Sequence, residues 1–408
     1  MKKSTFWLGA LLELANVRPA FAEDALPSSD AAEIEAALAR DTQSKEAPQS
    51  APADAPPPRS GGGVQSLNPD ISVIGDFALA AFSRDENHQT GGHDPTESGF
   101  NLQQLELSFS GAVDPYFRFD SHLVFGPDGF ELEEAYGTTL DLPGHLQMRA
   151  GQFLTRFGRL NPTHPHAWDF VDQPFALGRV FGGDGNRALG AELSWLTPLP
   201  WYVELVGSVT RADGEGTNRS FFGADNPGVK KPGDLLYVGA LKQFFPLSDD
   251  LSLFWGLSTA RGPSAGDGTE VYGTDLYLKY RPISRESPWQ VTLQSEALYR
   301  VRHLPEARLH DAGAYTQLVV RFARRWSAGA RYEFGTPARG PNGVLGLDPL
   351  DPEWLSLRRR ETLALTFFPT EFSRLRLQGS HDAGIGEPVW ASFLAIEFVT
   401  GAHGAHAF

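Results

Sequence analysis

The chain has 408 residues, a formal net charge of −15 and no cysteine. Its acidity argues against nucleic acid as a partner, because phosphate binding needs a net basic face. The lack of cysteine excludes a disulfide framework, a thiolate metal site and a cysteine nucleophile.

The first 22 residues have the pattern of a secretory signal peptide. An apolar stretch runs from Phe6 to Leu14, and Ala20-Phe21-Ala22 is a small-x-small cleavage site. Residues 23–68 then predict a periplasmic extension, with a short helical pattern followed by a Pro-rich linker. No later window is apolar over about 18 residues, so we expect an exported protein without a helical anchor.

From Asp70 onward, apolar and polar residues alternate with a period of two, which predicts strands with one apolar and one polar face. In residues 116–125, Phe117, Phe119 and Phe125 fall on one side and Arg118 and Asp120 on the other. The sixteen predicted strands are 70–82, 99–113, 116–125, 131–141, 145–153, 187–197, 201–211, 234–245, 251–261, 270–281, 289–302, 309–323, 326–336, 358–368, 373–382 and 389–398.

The connections between these strands alternate between short turns and long loops. An even strand count with short turns on one side is typical of an outer-membrane barrel. Strands of about 10 residues cross a bilayer when they are tilted. The sequence therefore predicts an all-β fold, a 16-stranded antiparallel transmembrane β-barrel over residues 69–399.

The closing strand carries Trp390, Leu394 and Phe398 on its predicted lipid face. An aromatic at the end of the last strand resembles the signal read by the outer-membrane assembly machinery. A histidine-containing tail, residues 400–408, continues to the terminal Phe408, so the sequence leaves open which Phe is read.

The stretch from Leu132 to Pro162 resembles the phosphate-selective porin family. The resemblance rests on Glu134-Ala135-Tyr136, Gly151-Gln152-Phe153 and Phe157-Gly158. It implies a porin barrel that assembles as a homotrimer. The family's lysine-rich site has no counterpart here, so phosphate specificity is not implied.

The start at Leu67, the loop around His164 and the tail resemble a narrower group of porin-like barrels, often labelled zinc-regulated TonB-dependent outer membrane receptors. Such receptors have 22 strands and a plugged lumen. This chain has room for sixteen strands and too few residues before them for a plug domain, so the length argues against that label.

Charged rings select ions in wide pores, and Arg offers forked donors for phosphate or carboxylate. The predicted pore-lining and selectivity residues are Arg118, Arg149, Arg156, Arg159, Arg300, Arg321, Arg331, Arg360, Arg374 and Arg376. Acidic residues predicted on the same inner face would offset part of this positive charge. The sequence therefore allows either a weak anion preference or a pore without selectivity.

The longest connection, residues 154–186, predicts a constriction loop, because a long loop in a compact domain is usually functional. Trp168, Asp169, Phe170 and Asp172 would lie at the constriction if the loop folds inward. An outward cap is the alternative.

His164 and His166 place two imidazoles within reach of one metal ion, with Asp169 or Asp172 as a third ligand. His403 and His406 in the tail form a second pair. Zinc needs three or four ligands, so solvated histidines remain the alternative.

The predicted strand faces bring no Ser or Asp together with a His on neighbouring outer strands, as a barrel hydrolase would need, and we expect no enzyme activity. It favours an outer-membrane channel for passive diffusion of small hydrophilic solutes, with no cofactor. Outer-membrane lipid, lipopolysaccharide and the assembly machinery are the expected partners. The alternative is a zinc-linked uptake receptor that has no plug domain.

Overall fold

The computed structural model describes residues 69–126, 129–225, 227–264, 266–283 and 288–401. The predicted signal peptide, the linker up to residue 68 and the tail histidines His403 and His406 lie outside these ranges. No helix in the described ranges is long and apolar enough to cross a membrane.

The described residues form sixteen strands. They are β1 (Asp70–Phe82), β2 (Gly99–Ala112), β3 (Phe117–Gly126), β4 (Gly129–Thr139), β5 (Leu146–Leu154), β6 (Arg187–Leu196), β7 (Tyr202–Arg211), β8 (Leu235–Pro246), β9 (Leu251–Gly262), β10 (Gly268–Tyr280), β11 (Gln290–His303), β12 (Arg308–Ala323), β13 (Trp326–Gly335), β14 (Arg358–Thr370), β15 (Ser373–Ala383) and β16 (Val389–Gly401).

Each strand pairs with its neighbours in the chain, and β1 pairs with β16 to close the barrel. The closing register is antiparallel and runs from Ser72 opposite Gly401 to Phe82 opposite Ala391. Closure removes every sheet edge, which lipid would leave without hydrogen-bond partners. The prediction of a 16-stranded antiparallel barrel is confirmed.

The outer face of the barrel is apolar and the inner face is polar. On β15 and β16, Leu377, Trp390 and Leu394 are exposed, while Gln378 and Ser380 are buried on the inside. A belt of exposed aromatic and aliphatic side chains around a monomer marks a surface made for lipid.

The two ends of the barrel differ in their connections, as the sequence predicts. At one end the strands meet in short turns, such as residues 247–250 and 324–325. At the other end lie the long connections, including 83–98, 155–186, 212–234 and 336–357. We call these the short-turn end and the long-loop end.

The connection 155–186 contains one 3-10 turn, Pro165–Ala167, and one short helix, α1 (Phe175–Phe181). Every residue of α1 is buried. The helix contacts the inner sides of β12 and β13, so it lies inside the barrel. We call residues 155–186 the inward segment.

Candidate functional site inside the barrel

The inward segment enters the lumen through a tight turn at Gly158. This glycine has φ +60, and a Cβ added there would lie 2.2 Å from Glu296 Oε2. Its N–H donates to Ser258 Oγ over 3.0 Å, and its carbonyl accepts from Lys242. Only glycine adopts this conformation in so little space, so the turn fixes the direction in which the segment crosses the lumen.

An apolar cluster fills the lumen between the inward segment and strands β8 to β12. Phe157 and Phe181 pack edge to face at 4.9 Å between ring centroids. Both rings lie in one buried cluster with Leu236, Val271 and Leu298 of the wall. These wall positions face inward, so apolar packing closes this part of the lumen.

On the adjoining part of the wall, Asp172 joins the inward segment to three strands. Its Oδ1 lies 2.6 Å from Arg331 Nη2, and its Oδ2 lies 3.0 Å from Arg360 Nη1. Gln378 Nε2 donates to Oδ1 over 2.6 Å. Burial alone would raise the pKa of Asp172, but Arg331 and Arg360 lower it below the usual aspartate value, so the carboxyl is ionised.

Two neighbouring arginines hold the backbone of the inward segment. Arg374 Nη1 donates to the carbonyl of Trp168 over 2.9 Å, and Arg376 Nη1 donates to that of Phe170 over 3.0 Å. Both guanidinium groups also pair with Glu397. The segment therefore contacts the wall through charge on one side and through apolar packing on the other.

A second connection from the long-loop end closes over the inward segment. Asp348 and Asp351, in the connection 336–357, lie 3.0 and 3.1 Å from Arg300 Nη2. Arg179 of α1 pairs with Asp351 at 2.9 Å and stacks on the Trp354 ring at 3.8 Å. Arg300 is fully buried by these contacts.

The structure places most of the predicted selectivity arginines in ion pairs. Besides those already described, Arg149 and Arg156 both pair with Glu192, at 2.9 and 2.7 Å. Arg118 pairs with Asp120 but keeps 51% of its side chain exposed. Arg321 donates to the carbonyl of Arg324 at the short-turn end.

The four predicted constriction residues lie close together along the inward segment but differ in their surroundings. Phe170 is buried under Arg331, whose guanidinium carbon is 4.7 Å from the ring centroid. Trp168 is half-buried and donates to the carbonyl of Thr163 over 2.8 Å. Asp169 is exposed.

A cavity remains at the short-turn end of the lumen. Its volume is about 930 Å³, and it is lined by residues of the inward segment, β7 to β10 and the adjoining turns. Arg159, Lys279 and Arg281 supply positive charge, while Asp249 and Asp250 supply negative charge. The Arg159 guanidinium stacks on the Tyr277 ring at 3.7 Å. We call this cavity the vestibule.

A cluster of histidines and glutamates lies where the inward segment meets β2, β3 and β4. His164 Nε2 lies 2.8 Å from Glu134 Oε2, and its Nδ1 lies 3.2 Å from Glu133 Oε2. His122 Nδ1 and His166 Nδ1 each lie 2.9 Å from a Glu106 oxygen. We call these six residues the His–Glu cluster.

A β-bulge in β4 brings both glutamates of this strand into the cluster. His122 pairs with Glu134 and Leu123 with Leu132, which leaves Glu133 as the extra residue. A regular strand would point one of two consecutive side chains outward, but here Glu133 and Glu134 are both buried. Strict alternation along the sequence could not reveal this pair.

The same geometry corrects the expected third ligand for the histidine pair. Asp172 is held by arginines on the far wall, and glutamates of β2 and β4 surround His164 instead. Ser108 Oγ also lies 2.9 Å from His122 Nδ1. In a catalytic triad, the histidine uses one ring nitrogen for the serine and the other for the carboxylate. Here Ser108 and Glu106 contact the same nitrogen of His122, so the three residues do not form a triad.

No family model matches the chain. A protein of Aquifex aeolicus strain VF5, described as an uncharacterized protein, is 34% identical over 390 residues. The match spans 83% of this chain and 80% of that protein. The chain belongs to the same family. Identity at this level over most of both chains indicates that the two proteins share one architecture.

Solved porins share the fold at low sequence identity. The outer membrane channel DcaP of Acinetobacter baumannii has a TM-score of 0.54 at 13% identity, covering 82% of this chain and 96% of that chain. The anion-selective porin from Comamonas acidovorans has a TM-score of 0.53 at 11% identity, covering 81% and 99%. OprB of Pseudomonas putida has a TM-score of 0.54 at 10% identity, covering 82% and 95%.

Proposed function

We propose that this protein is a porin-like channel of the outer membrane that passes small hydrophilic solutes by diffusion. The closed barrel with a lipid-facing belt supports the location, and the fold shared with solved porins supports the class. The resemblance of Leu132–Pro162 to phosphate-selective porins points the same way. No cofactor takes part in this function.

The observation that carries the proposal is the inward segment, which narrows a polar lumen and leaves the vestibule open beside it. Large porins restrict their lumen with a folded loop, and such a loop sets the size of the solute. Because the segment packs against strands β8 to β14 inside the barrel, we expect a conductance well below that of an open sixteen-stranded pore.

Selectivity is proposed to reside in the vestibule. Arg331, Arg360 and Arg376 are buried beside carboxylates that neutralise most of their charge. They therefore contribute little to the electrostatic potential along the path of a solute. Arg159 and Arg281 line open space instead. The acids in the same cavity offset part of this charge, so we expect a weak anion preference.

The test is planar-bilayer recording of the purified protein across a KCl gradient. We expect a small steady conductance and a reversal potential on the anion side of zero. A variant with residues 163–181 replaced by a Gly-Ser linker of equal length should conduct more, since it lacks the packed part of the inward segment. No current from either protein, when both show the heat-modifiable gel mobility of a folded barrel, would refute the channel.

A second candidate function, a zinc-linked uptake receptor, is favoured by the His–Glu cluster. It would be closed at rest, with the inward segment as the barrier. The two functions differ in one result, because a porin conducts unaided and a receptor does not.

We also propose that the protein assembles as a homotrimer in contact with outer-membrane lipid and lipopolysaccharide, after insertion by the assembly machinery. One solved structure with this fold, OmpT of Vibrio cholerae, is described as a trimer form. Its TM-score is 0.52 at 7% identity, over 81% of this chain and 99% of that chain. Crosslinking of the protein in detergent, read on a denaturing gel, tests the trimer.

A further inference from the structure

The His–Glu cluster concentrates potential metal ligands at one buried point. Ligand atoms of Glu106, His122 and His164 all lie within 4.8 Å of one another. Glu106 is 0% exposed and Glu133 is 3% exposed. Glu106 and His122 lie on the neighbouring strands β2 and β3, and His164 lies on the inward segment. Their ligand atoms therefore meet where the segment contacts the wall.

The hydrogen bonding of His164 gives the strongest indication of a missing cation. When His164 Nε2 donates to Glu134, which is 2.8 Å away, a neutral ring presents a lone pair at Nδ1. That nitrogen faces Glu133 Oε2 at 3.2 Å and Glu106 Oε2 at 3.8 Å. Neither of these oxygens accepts a well-aligned hydrogen bond from the described residues, although His166 Nδ1 lies 2.9 Å from Glu106 Oε2. Three electron-rich atoms that face one another in a buried space repel unless a positive charge lies between them.

The spacing of these atoms suits a metal ion. Nitrogen and oxygen ligands at about 2.0–2.2 Å from a tetrahedral zinc ion lie about 3.3 to 3.6 Å from each other. The distances from His164 Nδ1 to Glu133, 3.2 Å, and to Glu106, 3.8 Å, bracket this range, whereas His122 and His166 lie closer to Glu106, at 2.9 Å, and would move apart slightly to admit the ion. A histidine whose second nitrogen donates to a carboxylate is also the usual form of a metal ligand, because that bond fixes the ring.

We propose that Glu106, His122 and His164 bind a divalent transition-metal ion such as Zn²⁺, with Glu133 at the same centre and Glu134 orienting His164. Imidazole and carboxylate together suit zinc and its first-row neighbours. The metal ties the inward segment to β2 and β3. The proposal stands on the cluster alone and does not require the channel function.

A protonated His164 is the competing explanation, because it would also place positive charge between the carboxylates. The two explanations differ in metal content. The experiment uses the full chain in detergent with the tail changes His403→Asn and His406→Asn, so that the tail cannot contribute sites. Equilibrium dialysis against Zn²⁺, followed by elemental analysis, gives the stoichiometry and affinity.

We expect one Zn²⁺ per chain in this background. Glu106→Gln and His164→Asn should each weaken binding by more than tenfold, because each removes a ligand. Glu134→Gln should weaken it by about 10- to 100-fold, as loss of a carboxylate behind a ligating histidine does. His381→Asn is the matched control, since His381 lies 3.3 Å from Glu361 on the barrel wall away from the cluster.

Co²⁺ provides a second readout, because its visible absorption reports the ligands of the bound ion. Its visible absorption should appear in the background protein and in His381→Asn, and should be lost in His164→Asn. Circular dichroism and heat-modifiable gel mobility confirm that each variant is folded. A folded background protein that binds no Zn²⁺, or equal binding by folded His164→Asn and His381→Asn, overturns the proposal in favour of a protonated cluster.

Discussion

Replacing Asp172 by asparagine should release the inward segment from the wall. The change removes the negative charge between Arg331 and Arg360, both of which are almost fully buried. Breaking a buried ion pair by removing one partner costs about 3–5 kcal/mol. Each arginine keeps a second carboxylate, Glu333 at 2.9 Å and Asp382 at 2.7 Å, so the lower end of this range applies.

A loss of about 3 kcal/mol in docking free energy corresponds to a roughly 100-fold rise in the undocked population. Since the chain contains no cysteine, one introduced thiol reports on docking alone. Ala176→Cys places it in α1, where Ala176 is 2% exposed, so only the undocked segment reacts with a charged maleimide. The labelling rate follows the undocked population when redocking is faster than the reaction.

The matched control is Asp141→Asn, the same chemical change at an exposed position in the turn between β4 and β5. We expect Asp172→Asn to label about 100-fold faster than this control, with an increase in bilayer conductance. A change in labelling rate below about threefold would refute the role of Asp172 as the charged anchor.

Three further predictions concern other parts of the lumen. Lys279→Gln combined with Arg281→Gln removes positive charge from the vestibule, so the reversal potential should move toward the cation side. Burial and the neighbouring Asp172 raise the pKa of Asp94 from 3.8 to about 6, so the folded state binds this proton more tightly. Stability from Asp94 should therefore grow as pH falls from about 6 to about 4, and Asp94→Asn should reduce the rise in Tm on acidification. Arg300→Gln removes one of the two buried arginines that pair with Asp348, leaving Arg302, and should lower Tm, with the connection 336–357 becoming sensitive to protease.

Most of the barrel follows from the sequence because a strand that separates lipid from a polar lumen has a strict period of two. The predicted strand 70–82 coincides with β1, and the last strand extends to Gly401, three residues beyond its predicted end. Turn residues such as Asp114-Pro115 mark where strands reverse. Local patterns were therefore sufficient for the wall.

The contents of the lumen were only partly predictable. The length of the connection 154–186 pointed to an inward fold, and His164 and His166 pointed to a cluster. One partner of these histidines, Glu106, lies on a strand more than thirty positions away in the chain. Another, Glu133, faces inward because of a bulge. Alternation alone predicts neither contact. Ion pairing of the wall arginines likewise depends on which segment folds against them.

The inward segment also imposes an order on how the chain becomes a barrel. It follows β5 in the chain, yet its main charged contacts, such as those of Asp172 with Arg331 and Arg360, are with β13 and β14. These contacts cannot form until the later third of the chain is in place. Docking of the segment is therefore a late step that depends on the C-terminal strands, and a chain that ends before β13 would leave Asp172 and Phe175 without the surfaces that bury them.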